Sequence, residues 1–164
     1  MAALTQGTVA PEVSLSNTSG KKVSLKEELK KGPVLLAFFK ISCPVCQFTF
    51  PMLERVYKAH HGKANIIGVS QNPKKDTESF LREYGITFPV LLDDTAKYPV
   101  SNAYGLTNVP TLFFITPDGE IEISSVGWSK SDVDEINRRF AESGRAKPSA
   151  IFKPGEDVPD FKAG

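Results

Sequence analysis

Six apolar residues in a row, Val34-Leu35-Leu36-Ala37-Phe38-Phe39, run almost directly into Cys43-Pro44-Val45-Cys46. A continuous apolar run entered from Gly32-Pro33 predicts a strand buried on both faces, which requires packed layers on either side of it. From Cys46 onward, Phe48, Met52, Leu53, Val56 and Tyr57 recur at helical spacing. They predict a helix to about His61, stopped by Gly62 and kinked at Pro51. The two cysteines thus fall where a buried strand turns into a helix, in the first turn of that helix.

The remaining chain follows the same alternation. Val9 to Leu15, interrupted by Pro11, reads as an extended edge segment. Asn17-Thr18-Ser19-Gly20 is a turn, and Lys22 to Leu25 is the return strand of a hairpin. Ser24, with Glu27 three residues later, caps a short helix that ends at Gly32. Ala64 to Ser70 is a second buried strand. Asp76 is a candidate cap for a helix through Tyr84, with Gly85 ending it. Pro89 to Leu92 is extended, and Ala96 to Tyr104 is partly helical, with Pro99 as a break. Thr111 to Thr116 is a third apolar strand. Pro117-Asp118-Gly119 turns it into a hairpin with Ile121 to Val126. A final amphipathic helix, capped by Ser131 or Asp132, carries Val133, Ile136 and Phe140 on one face and ends at Gly144. The order is β-α-β-α-β-β-α: an α/β chain with right-handed βαβ crossovers in a mixed sheet.

With 164 residues the chain fits one domain, taken as 1–144, followed by a Pro/Gly-rich tail, 145–164. Within that tail, Gly155-Glu156-Asp157-Val158-Pro159-Asp160-Phe161 echoes Gly7-Thr8-Val9-Ala10-Pro11-Glu12-Val13. A net charge of +1, with both signs interspersed, offers nothing to nucleic acid or an anionic membrane surface. No apolar run reaches the roughly 20 residues of a membrane span. The first residues carry neither the basic nor the apolar region of an export signal. A cytoplasmic location is expected if the chain is complete, a periplasmic or exported one if a signal was trimmed.

Both cysteines of the chain lie in this one motif. A bridge across so short a loop constrains the unfolded chain weakly, and a disulfide scaffold needs more cysteines. The pair therefore points to chemistry or metal binding. A helix N-terminus presents unpaired N–H groups and a partial positive charge, which favour a thiolate there. Cys43, at the helix start, is the candidate nucleophile. Cys46, one turn in, is the candidate resolving thiol. Lys40 adds positive charge if it points that way, and Pro44 and Val45 tune the pair.

On these residues the chain resembles the thioredoxin superfamily, and within it the TlpA/ResA-like and AhpC/TSA-type redoxins. The resemblance spans roughly Val9 to Phe140. Its features are the apolar strand into Cys43-Pro44-Val45-Cys46, Pro51 five residues after the second cysteine, and Pro11 in its Ala-Pro-acid context. The run Tyr104 to Ile115 around Val109-Pro110 completes it, with Asp118-Gly119 at the hairpin turn. The resemblance implies a thioredoxin-like fold and an N-terminal hairpin. It implies a cis Pro110 facing the cysteines, and Val109 as a backbone edge where a substrate chain docks. The activity implied is thiol:disulfide exchange with protein thiols and disulfides and an upstream redox partner. It needs no cofactor and no metal, and a monomer suffices. Two departures stand out. Ser42 replaces the tryptophan before the first cysteine of thioredoxin, and Ala37 replaces its buried aspartate. Proton transfer to Cys46 then falls to another group or water, with Lys74, Lys75 and Asp76 the nearest candidates in sequence.

Three alternatives remain beside this reading. A thiol peroxidase with Cys46 as the reactive residue needs proline and Thr/Ser where this chain has Phe39 and Cys43. A metal-binding domain would need more ligands, and the only histidines, His60 and His61, lie a helix length from the cysteines and point about 100° apart. They read as the solvated end of a helix. A redox-inert binding domain is the third. Trp128 reads as packing beside the hairpin, and Phe38, Phe39, Phe48 and Phe50 as core and rim.

Overall fold

The computed structural model describes residues 2–164. Its centre is a five-stranded sheet in the order β5-β4-β3-β6-β7. The strands are β3 (Val34–Phe39), β4 (Asn65–Ser70), β5 (Val90–Leu92), β6 (Thr111–Ile115) and β7 (Ile121–Val126). β3, β4 and β5 run parallel, β6 pairs antiparallel with β3, and β7 pairs antiparallel with β6. Outside it, β1 (Ser14–Ser16) and β2 (Lys22–Ser24) form the N-terminal hairpin. β8 (Trp128–Ser129) pairs with β9 (Phe161–Lys162). The helices are α1 (Leu25–Leu29), α2 (Pro44–Ala59), α3 (Lys74–Tyr84), α4 (Pro99–Ala103) and α5 (Lys130–Ser143). The α/β class and the mixed sheet flanked by helices agree with the sequence expectation.

Every residue of β3 is buried. Leu35, Ala37 and Phe39 face a core built with Leu53 and Val56 of α2, Phe80 of α3 and Ile136 and Phe140 of α5. Val34, Leu36 and Phe38 face a second core with Val13, Leu29, Val100 and Tyr104. The period-two alternation of side chains across a strand explains why the run is apolar throughout. No helix is long and apolar enough to cross a membrane among the described residues.

Several boundaries differ from those read in the sequence. α2 begins at Pro44, because Cys43 is its cap and proline at the first helical position brings a preset φ. α3 begins at Lys74 after Pro73, so Asp76 lies inside its first turn rather than capping it. Pro99 opens α4 instead of breaking it. Ser129, not Ser131 or Asp132, caps α5, accepting the amide of Asp132. His60 is not simply solvated: its Nε2 lies 2.8 Å from Asn137 Oδ1.

Candidate active site

The carboxyl ends of the parallel strands define the place, as is general for open α/β sheets. β3 ends at Phe39, and the loop Lys40–Ser42 follows. It is held from two sides. The amide of Ile41 donates to Asn72 Oδ1 at 2.9 Å, and Gln47 Nε2 donates to the carbonyl of Ile41 at 2.9 Å. Asn72 itself follows the end of β4. The loop therefore delivers Cys43 to the N-terminus of α2 in a defined position.

Cys43 is half-buried and Cys46 fully buried, and both are free thiols. Cys43 Sγ accepts the amide of Cys46 at 3.3 Å, so the sulfur takes the place a serine oxygen takes in an ordinary helix cap. It also donates to the carbonyl of Val109 at 3.4 Å. Burial pushes the Cys46 thiol well above its ordinary range. The neighbouring Cys43 adds to the rise, and the Lys40 backbone and charge oppose it. The two sulfurs are thus unlike: one is reachable from solvent and capped by an amide, the other protonated in an apolar surrounding.

Val109 and Pro110 arrive on the loop before β6, the strand next to β3. The antiparallel register pairs Phe38 with Thr111, which sets the loop before β6 beside the loop after β3. The Val109–Pro110 bond is cis. Pro110 is buried, and its carbonyl accepts the amide of Gly127 at 2.8 Å. Thr111 Oγ1 donates to the carbonyl of Asn108 at 2.7 Å. Lys40 is exposed at the rim, Pro44 exposed and Val45 half-buried on the first turn of α2. Lys74, Lys75 and Asp76 are all exposed at the start of α3.

A cleft of about 400 Å³ opens beside Cys43, with Lys40, Gln71, Asn102, Asn108 and Val109 among its lining. Sequence reading missed the polar wall of this cleft. Asp93, buried after β5, accepts the amide of Ser101 at 2.8 Å and its hydroxyl at 2.7 Å. Ser101 Oγ in turn accepts Gln71 Nε2 at 2.9 Å. This chain of bonds fixes α4 and Gln71 at the cleft. The available signal was position: Gln71 directly follows β4, the neighbour of β3, at the same carboxyl end. Trp128 is fully buried, as expected, with its ring edge-on to Phe48 at 5.0 Å.

The AhpC/TSA family model matches residues 6–124. The thiol-disulfide oxidoreductase ResA of Bacillus subtilis is 32% identical over 120 residues, covering 72% of this chain and 65% of that protein. ResA of Geobacillus thermodenitrificans is 30% identical over 136 residues, covering 81% of this chain and 76% of that protein. Among solved structures, the thioredoxin domain of a thiol-disulfide oxidoreductase from Bacteroides vulgatus superposes with a TM-score of 0.73 at 25% identity. It covers 84% of this chain and 98% of that one.

Proposed function

The chain belongs to the AhpC/TSA family, and we propose that within it this protein is a thiol:disulfide oxidoreductase acting on protein substrates through Cys43 and Cys46. The observation that carries the reading is the asymmetry of the pair: Cys43 Sγ faces the cleft and is met by the Cys46 amide, while Cys46 is closed off from solvent.

The exchange runs in two displacements. The Cys43 thiolate attacks one sulfur of a substrate disulfide. The substrate S–S bond breaks, a Cys43–substrate disulfide forms, and the departing sulfur takes up a proton. Cys46 then gives up its proton and attacks Cys43 Sγ. The mixed disulfide breaks, the second substrate thiol leaves, and a Cys43–Cys46 disulfide remains. Two electrons have passed from the pair to the substrate. The reverse sequence oxidises a dithiol, and a second redox protein resets the pair in either case. Each step needs only sulfur chemistry, so no cofactor is called for, and one monomer holds all the parts.

Val109 serves as the docking edge, Pro110 holds it in place, and Lys40, Pro44 and Val45 tune the thiolate. Support for the first comes from the Val109 carbonyl, which already meets Cys43 Sγ. The deciding experiment is redox titration of the pair in glutathione buffers with Cys43→Ser as control. A reversible two-electron transition is expected. A potential near or below about −270 mV assigns a reductant, one above about −180 mV an oxidant or isomerase. Absence of a transition overturns the proposal.

A further inference from the structure

Residues 145–164 run from the end of α5 back to the mouth of the cleft, and side chains hold that path. Ile151 and Val158 are buried in the core that also contains Cys46 and Trp128. Arg55 of α2 grips Glu156 through two hydrogen bonds, at 2.9 and 2.8 Å, and donates to the carbonyl of Ile151. Trp128 Nε1 donates to the carbonyl of Pro159 at 2.7 Å, and the amide of Lys130 to that of Asp160 at 2.9 Å.

Beyond Asp160 the character of the contacts changes. β9 pairs with β8 over two residues, and Phe161 is 61% exposed. Lys162 Nζ lies 5.5 Å from the centre of the Phe48 ring, and Asn108 Nδ2 donates to the Gly164 carbonyl at 3.3 Å. Two glycines permit a close backbone approach. A Cβ on Gly127 would stand 2.4 Å from the Lys162 carbonyl oxygen, and a Cβ on Gly164 the same distance from that of Val109. Gly164 therefore rests on the carbonyl that Cys43 Sγ also meets. The upstream part is anchored by burial, whereas Phe161–Gly164 is held by few bonds and little apolar area. Such a segment opens locally while the rest stays folded.

We propose that in the resting molecule this chain's own Phe161–Gly164 cover the edge from Ser129 past Gly127 to Val109, and compete there with the extended, disulfide-bearing segment of a protein substrate. The inference rests on the exchange reading above and adds an intramolecular competitor to it. A tethered segment acts at high effective concentration, and substrate affinity falls by the fraction of time the edge is covered. A small disulfide that reaches Cys43 Sγ without lying along the edge is spared this competition.

The test compares the full chain with a form ending at Asp160, which keeps the Pro159 and Asp160 anchors. Both are first titrated in glutathione buffers. Each is then reduced, freed of reductant and mixed in single turnover with an extended peptide carrying one disulfide or with a small aromatic disulfide, dithiobis-nitrobenzoate, the protein dithiol supplying the two electrons. The shortened form is expected to reduce the peptide about three- to ten-fold faster at low substrate, through apparent affinity, with the small disulfide within about two-fold. Gly164→Val in the full chain, whose side chain collides with the Val109 carbonyl, is expected to move the same way, and it decides the matter if the shortened form misfolds. Unchanged or slower peptide reduction in forms that keep the two-electron transition overturns the inference and leaves the exchange reading standing. Loss of the transition in the full chain overturns the exchange reading instead.

Discussion

Cys43 and Val109 stand 66 positions apart in the chain, and the Sγ of one lies 3.4 Å from the carbonyl oxygen of the other. The antiparallel pairing of β3 with β6 makes this contact, and the helix cap at Cys43 aims the sulfur. The partner sulfur, Cys46, faces the apolar core. Reactivity and protection are thereby divided between two residues of one helical turn.

Replacing each cysteine should separate the two displacements. Cys43→Ser is expected to abolish exchange to background. Cys46→Ser is expected to stop after the first step and accumulate disulfide-linked adducts with substrate. Intact-mass measurement under non-reducing conditions checks this, and adducts forming through Cys46 in the Cys43→Ser variant would contradict the assignment.

Burial holds the Cys46 thiol protonated above its ordinary range. In Cys43→Ser, no thiolate absorbance near 240 nm is expected up to about pH 10. The linkage sign follows. The unfolded thiol ionises near pH 8.5 while the folded one keeps its proton, so the unfolded state binds fewer protons above that pH. Stability of the reduced protein is intact below it and falls above it, with a limiting slope of about 1.4 kcal/mol per pH unit from this group. Cys46→Ala should flatten the melting profile between about pH 8.5 and 10.

The Arg55 guanidinium and the Lys153 amide hold the Glu156 carboxyl down at about 2. A depressed carboxyl stabilises above its unfolded value and loses that contribution as pH falls toward the folded one. The grip on the tail should therefore weaken between about pH 4.3 and 2. Protection of residues 151–160 from hydrogen exchange, relative to the intrinsic rate at each pH, is expected to fall in that window, and Glu156→Gln should show the lower protection already at neutral pH.

Asp93 accepts from the amides of Val100 and Ser101 and from the Ser101 hydroxyl, all in a buried setting. Asp93→Ala strands these donors and should cost about 2–4 kcal/mol in denaturant unfolding. Because Ser101 also holds Gln71 at the cleft, KM for a peptide disulfide should rise as well. A loss of stability without any effect on KM would show that the Gln71 wall of the cleft takes no part in binding the peptide.

Much of the site was legible because its signals are local. Six apolar residues specify a buried strand, a cysteine pair with Pro44 between its members specifies a helix start, and Asp118-Gly119 specifies a hairpin turn. The helix starts near Lys74, Pro99 and Lys130 were less legible, since several residues at each site were competent to begin a helix. The choice among them depends on what the preceding loop packs against.

The sequence by itself determined the α/β class, the burial of β3 on both faces, and the placement of Cys43 and Cys46 at the head of α2. These rest on periodicity and spacing within segments and on the order of those segments along the chain. Tertiary structure alone decided that the Val109 carbonyl meets Cys43 Sγ itself, that Asp93 and Ser101 hold Gln71 at the cleft, that Asn137 meets His60, and that Gly164 rests on the Val109 carbonyl. Each is a pairing between segments distant in sequence. Short polar residues and a Pro/Gly-rich tail carry no period that names a partner, so sheet register and packing geometry select it.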